Sequence, residues 1–174
     1  MKISTLRTIL GFYLSIARRH FPWHMGKPTI DGIYNYLPIS ATVASSGQPM
    51  AHQFAVIRDA GYKTVINLAL ADADNAVKGE GEMWRGMGVR YVHIPVDFKN
   101  PTLDDFDKFV AAMRESANEK TWVHCAANMR ASAFLYRYRR DVLGENPKVA
   151  RQALEKIWEP SGVWKEFVAE QQGR

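Results

Sequence analysis

A single cysteine, Cys125, sits in the segment Val123-His124-Cys125-Ala126-Ala127-Asn128-Met129-Arg130-Ala131-Ser132 of a 174-residue chain. The residue types around it describe an anion trap. An apolar strand would end at the cysteine, a short loop of small residues would follow, and an arginine would stand where a helix begins. Unpaired N–H groups of the loop and first helical turn, with the positive end of the helix dipole, favour negative charge at that place. Ala126 and Ala127 keep side chains out of the way, and Asn128 tolerates a left-handed backbone. Met129, Arg130 and Ala131 complete the expected anion-binding loop.

The same field would stabilise a thiolate, so Cys125 is expected to act as a nucleophile. Arg130 offers a planar fork that matches two phosphate oxygens and the charge on a phosphoryl group in transfer. Ser132 is expected to donate a hydrogen bond to the sulfur, which would also make it a better leaving group. His124 precedes the cysteine on a strand, so its side chain should face the opposite side of the sheet. It is assigned a supporting hydrogen bond, not general-base work. Lone cysteines are more often inert buried residues. The functional reading rests on the combination of His-Cys, small loop, Arg and Ser.

Holding these side chains requires strands and helices in alternation. Gly32 to Leu37 and Ala41 to Ser46 read as two strands of a hairpin around Pro38-Ile39-Ser40. Pro49 to Ala60 has helical spacing at Met50, Phe54 and Ile57 and closes at Gly61. Lys63 to Leu68 and Val89 to Val96 read as strands, with a short helix between them that ends near Gly88. Thr102-Leu103-Asp104-Asp105 has the shape of a capping box, heading a helix whose apolar side is Phe106, Phe109, Val110 and Met113. Thr121 to Cys125 is the strand that delivers the cysteine. Further helices are predicted after Arg130, at Pro147 as a first helical residue, and after Ser161 as an N-cap. This alternation predicts an α/β domain with a mixed or mainly parallel central sheet flanked by helices. Trp122, Trp158 and Trp164 are read as packing residues.

The amino terminus stands apart. Leu6, Ile9, Leu10, Tyr13, Ile16 and Ala17 recur at helical spacing, with Arg7, Ser15, Arg18 and Arg19 elsewhere around the turn, which predicts an amphipathic helix. Its apolar stretch is too short to span a bilayer, and no small-residue cleavage pattern follows it. The helix is expected to pack on its own domain. The alternative is contact with a membrane surface or a partner through a basic amphipathic face. Residues 1–29 are therefore taken as helix and connecting loop, and 30–174 as the main domain.

Composition sets the frame. With 47% hydrophobic and 24% charged residues, the chain is long enough for one well-buried core. A formal charge of +5 favours anionic, phosphorylated ligands. The basic residues read as scattered, without the aromatic-basic interleaving that nucleic acid would call for. One cysteine makes no internal disulfide, and the Cys and His spacing suggests no metal site. A reducing compartment, the cytoplasm, is expected, with neither cofactor nor metal. Oligomeric state is not legible.

At these residues the sequence resembles the cysteine-dependent phosphatases of the tyrosine and dual-specificity superfamily, whose signature is His-Cys, five residues, Arg, then Ser or Thr. More closely, Asn35-Tyr36-Leu37 through Ser46-Gly47-Gln48-Pro49, Gly61 through Leu68, and His93-Ile94-Pro95-Val96 resemble a mostly bacterial family of phosphatase-like proteins. The resemblance covers about residues 30 to 170. It implies a phosphatase fold, metal independence and a phosphocysteine intermediate. Two-step transfer needs an acid for the leaving oxygen and later a base for water. Asp97, in a loop before a helix and at a spacing from the cysteine similar to that of the family's acid, is assigned that role, with Asp104 and Asp105 as second choices better read as helix caps. The sequence departs from the signature in having only four residues between Cys125 and Arg130. That length resembles rhodanese-type sulfurtransferases, in which Cys125 would carry a persulfide and Asp97 would have no catalytic duty. A non-catalytic phosphate-binding module is the third reading.

Overall fold

The computed structural model describes residues 2–20 and 27–170. A five-stranded sheet forms the centre, in the order β1-β2-β5-β3-β4. The strands are β1 (Leu37–Pro38), β2 (Val43–Ser46), β3 (Tyr62–Asn67), β4 (Arg90–His93) and β5 (Lys120–His124). β2, β5, β3 and β4 run parallel, and only the edge strand β1 is antiparallel. The sheet is thus mixed and mainly parallel, as the alternating sequence predicts. Among the described residues seven helices surround it: α1 (Ile3–His20), α2 (Phe54–Asp59), α3 (Glu80–Gly86), α4 (Leu103–Glu115), α5 (Met129–Arg137), α6 (Pro147–Ile157) and α7 (Val163–Ala169).

Strands buried on both faces must be apolar on both. Ile66 and Val123 face one cluster, which holds Phe106 and Phe109 of α4, Phe134 of α5, Leu154 of α6 and Phe167 of α7. Val65 and Trp122, one residue away, face the other, built around Phe54 of α2 and Trp84 of α3. These last two rings stack with centroids 4.1 Å apart. Cys125 belongs to the first cluster, so the alternation along β5 sets which layer the thiol joins.

Several expected boundaries move, each for a local reason. The first hairpin strand shrinks to Leu37–Pro38, because Ile30–Gly32 forms a 3-10 turn and Asn35 takes a positive φ of 49°. A 3-10 turn over Ala51–Gln53 delays α2 to Phe54, with Gln53 Oε1 accepting from the Met50 N–H. Gly162, at φ 54°, and not Ser161, occupies the N-cap of α7. The capping box is present: Thr102 Oγ1 accepts from Asp105 N at 3.1 Å, and Asp105 Oδ2 accepts from Thr102 N at 3.1 Å. Asn146 caps α6, with Pro147 in the first turn.

α1 does pack on the domain, but by the side that the apolar spacing does not mark. Thr5, Thr8 and Ser15 are buried, while Leu6, Ile9, Leu10 and Tyr13 are exposed. Thr8 Oγ1 donates to Ile157 O at 2.7 Å and accepts from Asn35 Nδ2 at 3.0 Å. Thr5 Oγ1 accepts from Glu159 N at 3.0 Å. The Tyr34 ring lies so close to Gly11 that a Cβ there would come within 2.6 Å of it. Among the described residues, no helix is long and apolar enough to cross a membrane.

Candidate active site

Cys125 follows directly on β5, the central strand, at the carboxyl end of the parallel part of the sheet. That is where open α/β sheets present ligand sites. Residues 126–128 turn the chain, and α5 starts at Met129. Asn128, the residue before it, is left-handed with φ 68°, as its place in the loop predicts. It is fully buried, and its Nδ2 donates to Asn35 O at 2.8 Å and to Ser45 Oγ at 3.0 Å.

The loop carbonyls are tied outward. Ala126 O accepts from Asn75 Nδ2 at 2.8 Å and from Gln48 N at 3.2 Å, and Ala127 O accepts from Asn35 Nδ2 at 3.1 Å. In a trans peptide the N–H points opposite to the carbonyl, so the Ala127 N–H is turned away from Asn75 and Gln48. The first N–H groups of α5 lie one turn further on and have no partner within the helix. The loop is thereby held open from behind by two asparagines and the Gly47-Gln48 backbone.

In front of it lies a cleft of about 380 Å³ bounded by Cys125, the loop, Arg130, Phe98 and three residues of α1: Ile9, Phe12 and Tyr13. Arg130 is almost wholly buried. Its Nη1 donates to Val96 O at 2.7 Å, and the guanidinium lies 6.0 Å from the Phe98 ring centroid. Phe98 is fixed in turn by two indoles. Trp164 Nε1 donates to Phe98 O at 2.7 Å, and Trp158 Nε1 donates to Met129 O at 3.1 Å. Both indole rings lie within 6 Å of the Phe98 ring by centroid, at 5.9 Å for Trp158 and 5.3 Å for Trp164.

His124 and Cys125 face opposite sides, as the strand alternation predicts. His124 Nε2 lies 3.0 Å from Glu80 Oε1, with both side chains buried. Glu80 also accepts from Trp84 Nε1 at 3.1 Å and, on its other oxygen, from Gln48 Nε2 and Asn67 Nδ2, each at 3.2 Å. Burial pushes this carboxyl up, but the charge of His124 and the hydrogen bonds from His124, Trp84 and Gln48 outweigh it and hold Glu80 below its ordinary value of 4.5. His124 thus braces the back of the loop through Glu80 and Gln48. Under α1, burial and then the charge of Cys125 push the Tyr34 hydroxyl well up, so it stays protonated and donates to Thr8 O.

Two expected contacts are absent from this arrangement. Ser132 Oγ donates to Met129 O at 3.0 Å, inside its own helix, so its proton is not given to the sulfur. Asp97 is exposed, its Oδ1 accepts from Lys99 N at 2.9 Å, and the residue that reaches the cleft from its loop is Phe98. The Asp97 backbone still adjoins the carbonyl that Arg130 grips. Asp104 pairs with Lys108 at 2.6 Å on the exposed side of α4, and Asp105 serves the capping box. Sequence reasoning missed Glu80, Phe98, Asn35 and Asn75, and read Trp158 and Trp164 as packing alone. Among the described residues there is no group of three or more His, Cys, Asp or Glu placed to hold a metal ion.

A mainly parallel sheet whose central strand runs into a cysteine, followed by a tight turn and a buried arginine at the head of a helix, defines the phosphotyrosine-phosphatase-like class of α/β proteins. The sequence profile of the family described as DSP-PTPase phosphatase fused to NAD+ kinase matches residues 36–166, and the chain belongs to that family. A phosphatase-like protein of the DUF442 group from Shewanella putrefaciens CN-32 is 34% identical, with a TM-score of 0.74 over 80% of this chain and 92% of that one. The same fold recurs in the core catalytic domain of the PP-IP phosphatase SIW14 from S. cerevisiae, solved with citrate, at 12% identity and a TM-score of 0.66 over 80% of this chain and 86% of that one. It also recurs in PTPMT1, solved with PI(5)P, at 22% identity and a TM-score of 0.63 over 77% of this chain and 94% of that one. No curated protein matches the chain.

Proposed function

We propose that the chain is a cysteine-dependent phosphatase of the tyrosine or dual-specificity type that hydrolyses a phosphomonoester through a phosphocysteine. The observation that supports this most is the placement of Cys125 and the buried Arg130 on one cleft, with the loop carbonyls between them tied to the far side. In the first step the Cys125 sulfur attacks phosphorus, the P–O bond to the leaving group breaks, and Asp97 gives that oxygen its proton. In the second, Asp97 takes a proton from water, whose oxygen attacks phosphorus, and the S–P bond breaks to release phosphate and restore the thiolate. Arg130 and the loop N–H groups would carry the phosphoryl oxygens through both steps. Asp97 must swing its carboxylate from Lys99 N toward the cleft, a rearrangement of one exposed loop. Proteins of this fold solved with PI(5)P and with citrate make an anionic substrate a natural reading. The domain division at residues 1–29 and 30–174, the lack of need for metal or cofactor, and a cytoplasmic site of action belong to the same proposal.

A second reading keeps its place because of two observations. Only four residues separate Cys125 from Arg130, and the Asp97 carboxylate is engaged by its own loop. A rhodanese-like sulfurtransferase needs a thiolate and an anion cradle but no acid. In that case thiosulfate would pass its outer sulfur to Cys125, releasing sulfite, and cyanide would remove it as thiocyanate. A phosphate-binding module without turnover is the remaining alternative.

The experiment offers the purified protein an aryl phosphate and, separately, thiosulfate with cyanide. Phosphate release is expected, abolished by Cys125→Ser and by Arg130→Ala. Asp97→Asn is expected to slow it by about a hundredfold or more for poor leaving groups, the scale of general-acid catalysis, and less for good ones. Thiocyanate formation indifferent to Asp97→Asn, without phosphate release, overturns the phosphatase reading in favour of sulfur transfer. Phosphate binding lost in Arg130→Ala, with neither turnover, overturns it in favour of the binding module.

A further inference from the structure

α1 is mounted inside out. Its docked side is the polar one: Thr8 is 1% exposed and Thr5 and Ser15 are buried, each hydroxyl hydrogen-bonded. Ile3, Leu6, Ile9, Leu10, Tyr13 and Leu14 are instead exposed by 37% to 85%. At about 100° per residue, Ile9 to Leu14 cover an arc of roughly 140°. The orientation is not a matter of loose attachment. Tyr34 is wedged against Gly11, Asn35 and Ile157 hold Thr8, and Lys2 pairs with Glu155 and Glu159 at the helix start. Rotating the helix to bury its leucines would break every one of these contacts.

Charge says what covers the exposed side. The basic residues are scattered along the chain, but the acidic ones are absent from its first 30 positions. Lys2, Arg7, Arg18, Arg19 and Lys27 are the only charged residues in the first 30 positions, and the whole chain carries +5, so everything beyond is neutral in sum. Arg7 and Arg18 are exposed along one edge of the apolar arc. An exposed apolar ridge with a basic edge, on a helix that carries no acidic residue, fits the headgroup and acyl boundary of an anionic bilayer.

The ridge is also continuous with the cleft. Ile9 and Tyr13 belong to both, and Phe98, 40% exposed, forms the opposite lip. We propose that α1 seats the protein on an anionic membrane surface with the Cys125 cleft opening onto it, and that the phosphomonoester it takes is carried by a membrane lipid. The substrate part of this inference rests on the phosphatase reading, whereas the seating rests on α1 alone.

The test uses the full chain with vesicles of phosphatidylcholine alone or mixed with phosphatidylglycerol, plus a lipid phosphomonoester for turnover. The protein is expected to co-sediment with the anionic vesicles, less with the neutral ones, and less as salt rises. Leu6→Gln with Leu10→Gln, both outside the cleft, should weaken binding by about tenfold or more, since two leucine side chains no longer leave water. Arg7→Gln with Arg18→Gln should remove the preference for anionic lipid. A melting curve and circular dichroism confirm that each variant is folded. The leucine pair should depress phosphate release from vesicles while leaving hydrolysis of a soluble aryl phosphate unchanged. Aryl phosphate hydrolysis by a protein that stays off anionic vesicles at low salt overturns the seating and spares the phosphatase reading. Vesicle binding without turnover of either substrate spares the seating and overturns the lipid phosphomonoester. A dimer in light scattering that the leucine pair dissociates overturns the seating by showing that a second copy covers the ridge.

Discussion

Helices α1 and α4 are both amphipathic, and they turn opposite faces to the protein. α4 buries the apolar row that its spacing marks, Phe106, Phe109, Val110 and Met113, against the sheet and α5. α1 buries threonines and a serine and leaves its leucines in solvent. Periodicity thus shows that a helix has two faces without showing which one the fold takes. The deciding information lies on the surface that receives the helix. Beneath α4 the Phe106 ring meets Phe134 and Phe167 edge-on and has the Arg137 guanidinium over it, 4.4 Å from its centroid, so what this surface asks of the helix is an aromatic face. Beneath α1 are the Ile157 carbonyl, the Glu159 N–H and the Asn35 amide, which the Thr8 and Thr5 hydroxyls meet.

The contrast predicts a ranked series of losses. Phe109→Ala empties a fully buried site and is expected to cost about 3–5 kcal/mol in denaturant unfolding. Thr8→Val, nearly isosteric, leaves the Ile157 carbonyl without its donor and takes one acceptor from Asn35. It should cost about 1–3 kcal/mol, and hydrogen exchange should show the loss concentrated in α1, with the sheet unchanged. Leu10→Ala in the same helix should change stability by less than about 0.5 kcal/mol. A Leu10→Ala cost near that of Phe109→Ala would mean that the apolar face of α1 is buried after all, and the comparison would collapse.

The same division separates what the sequence made legible from what it did not. Cys125, the left-handed Asn128, Arg130 and the opposed His124 lie in one short run, where strand alternation and turn chemistry place them by local rules alone. The Thr102-Asp105 capping box is local in the same sense. Glu80 braces His124 from a distant helix, and no feature of the segment from Ala71 to Gly81 marks it for that duty. Asn35, Asn75, Trp158 and Trp164 act on backbone carbonyls, which carry no residue-type signal to be matched. Asp97 is placed by its spacing from the cysteine and Ser132 by its position just after Arg130, and neither spacing says which way a side chain turns. In the four-residue loop present, the serine hydroxyl finds Met129 O and the aspartate finds Lys99 N. The orientation of α1 is not local either: three buried hydroxyls outweigh five aliphatic side chains and a tyrosine only where the receiving surface is polar.

The central claim is that Cys125 accepts a phosphoryl group. Acid-quenching the protein within the first turnovers of a fast-leaving aryl phosphate and measuring intact mass tests it directly. A single phosphoryl adduct is expected, longer-lived in Asp97→Asn, because water then attacks without its base, and absent in Cys125→Ser. An unmodified mass with the phosphate ester, together with a single added sulfur after thiosulfate, would contradict it.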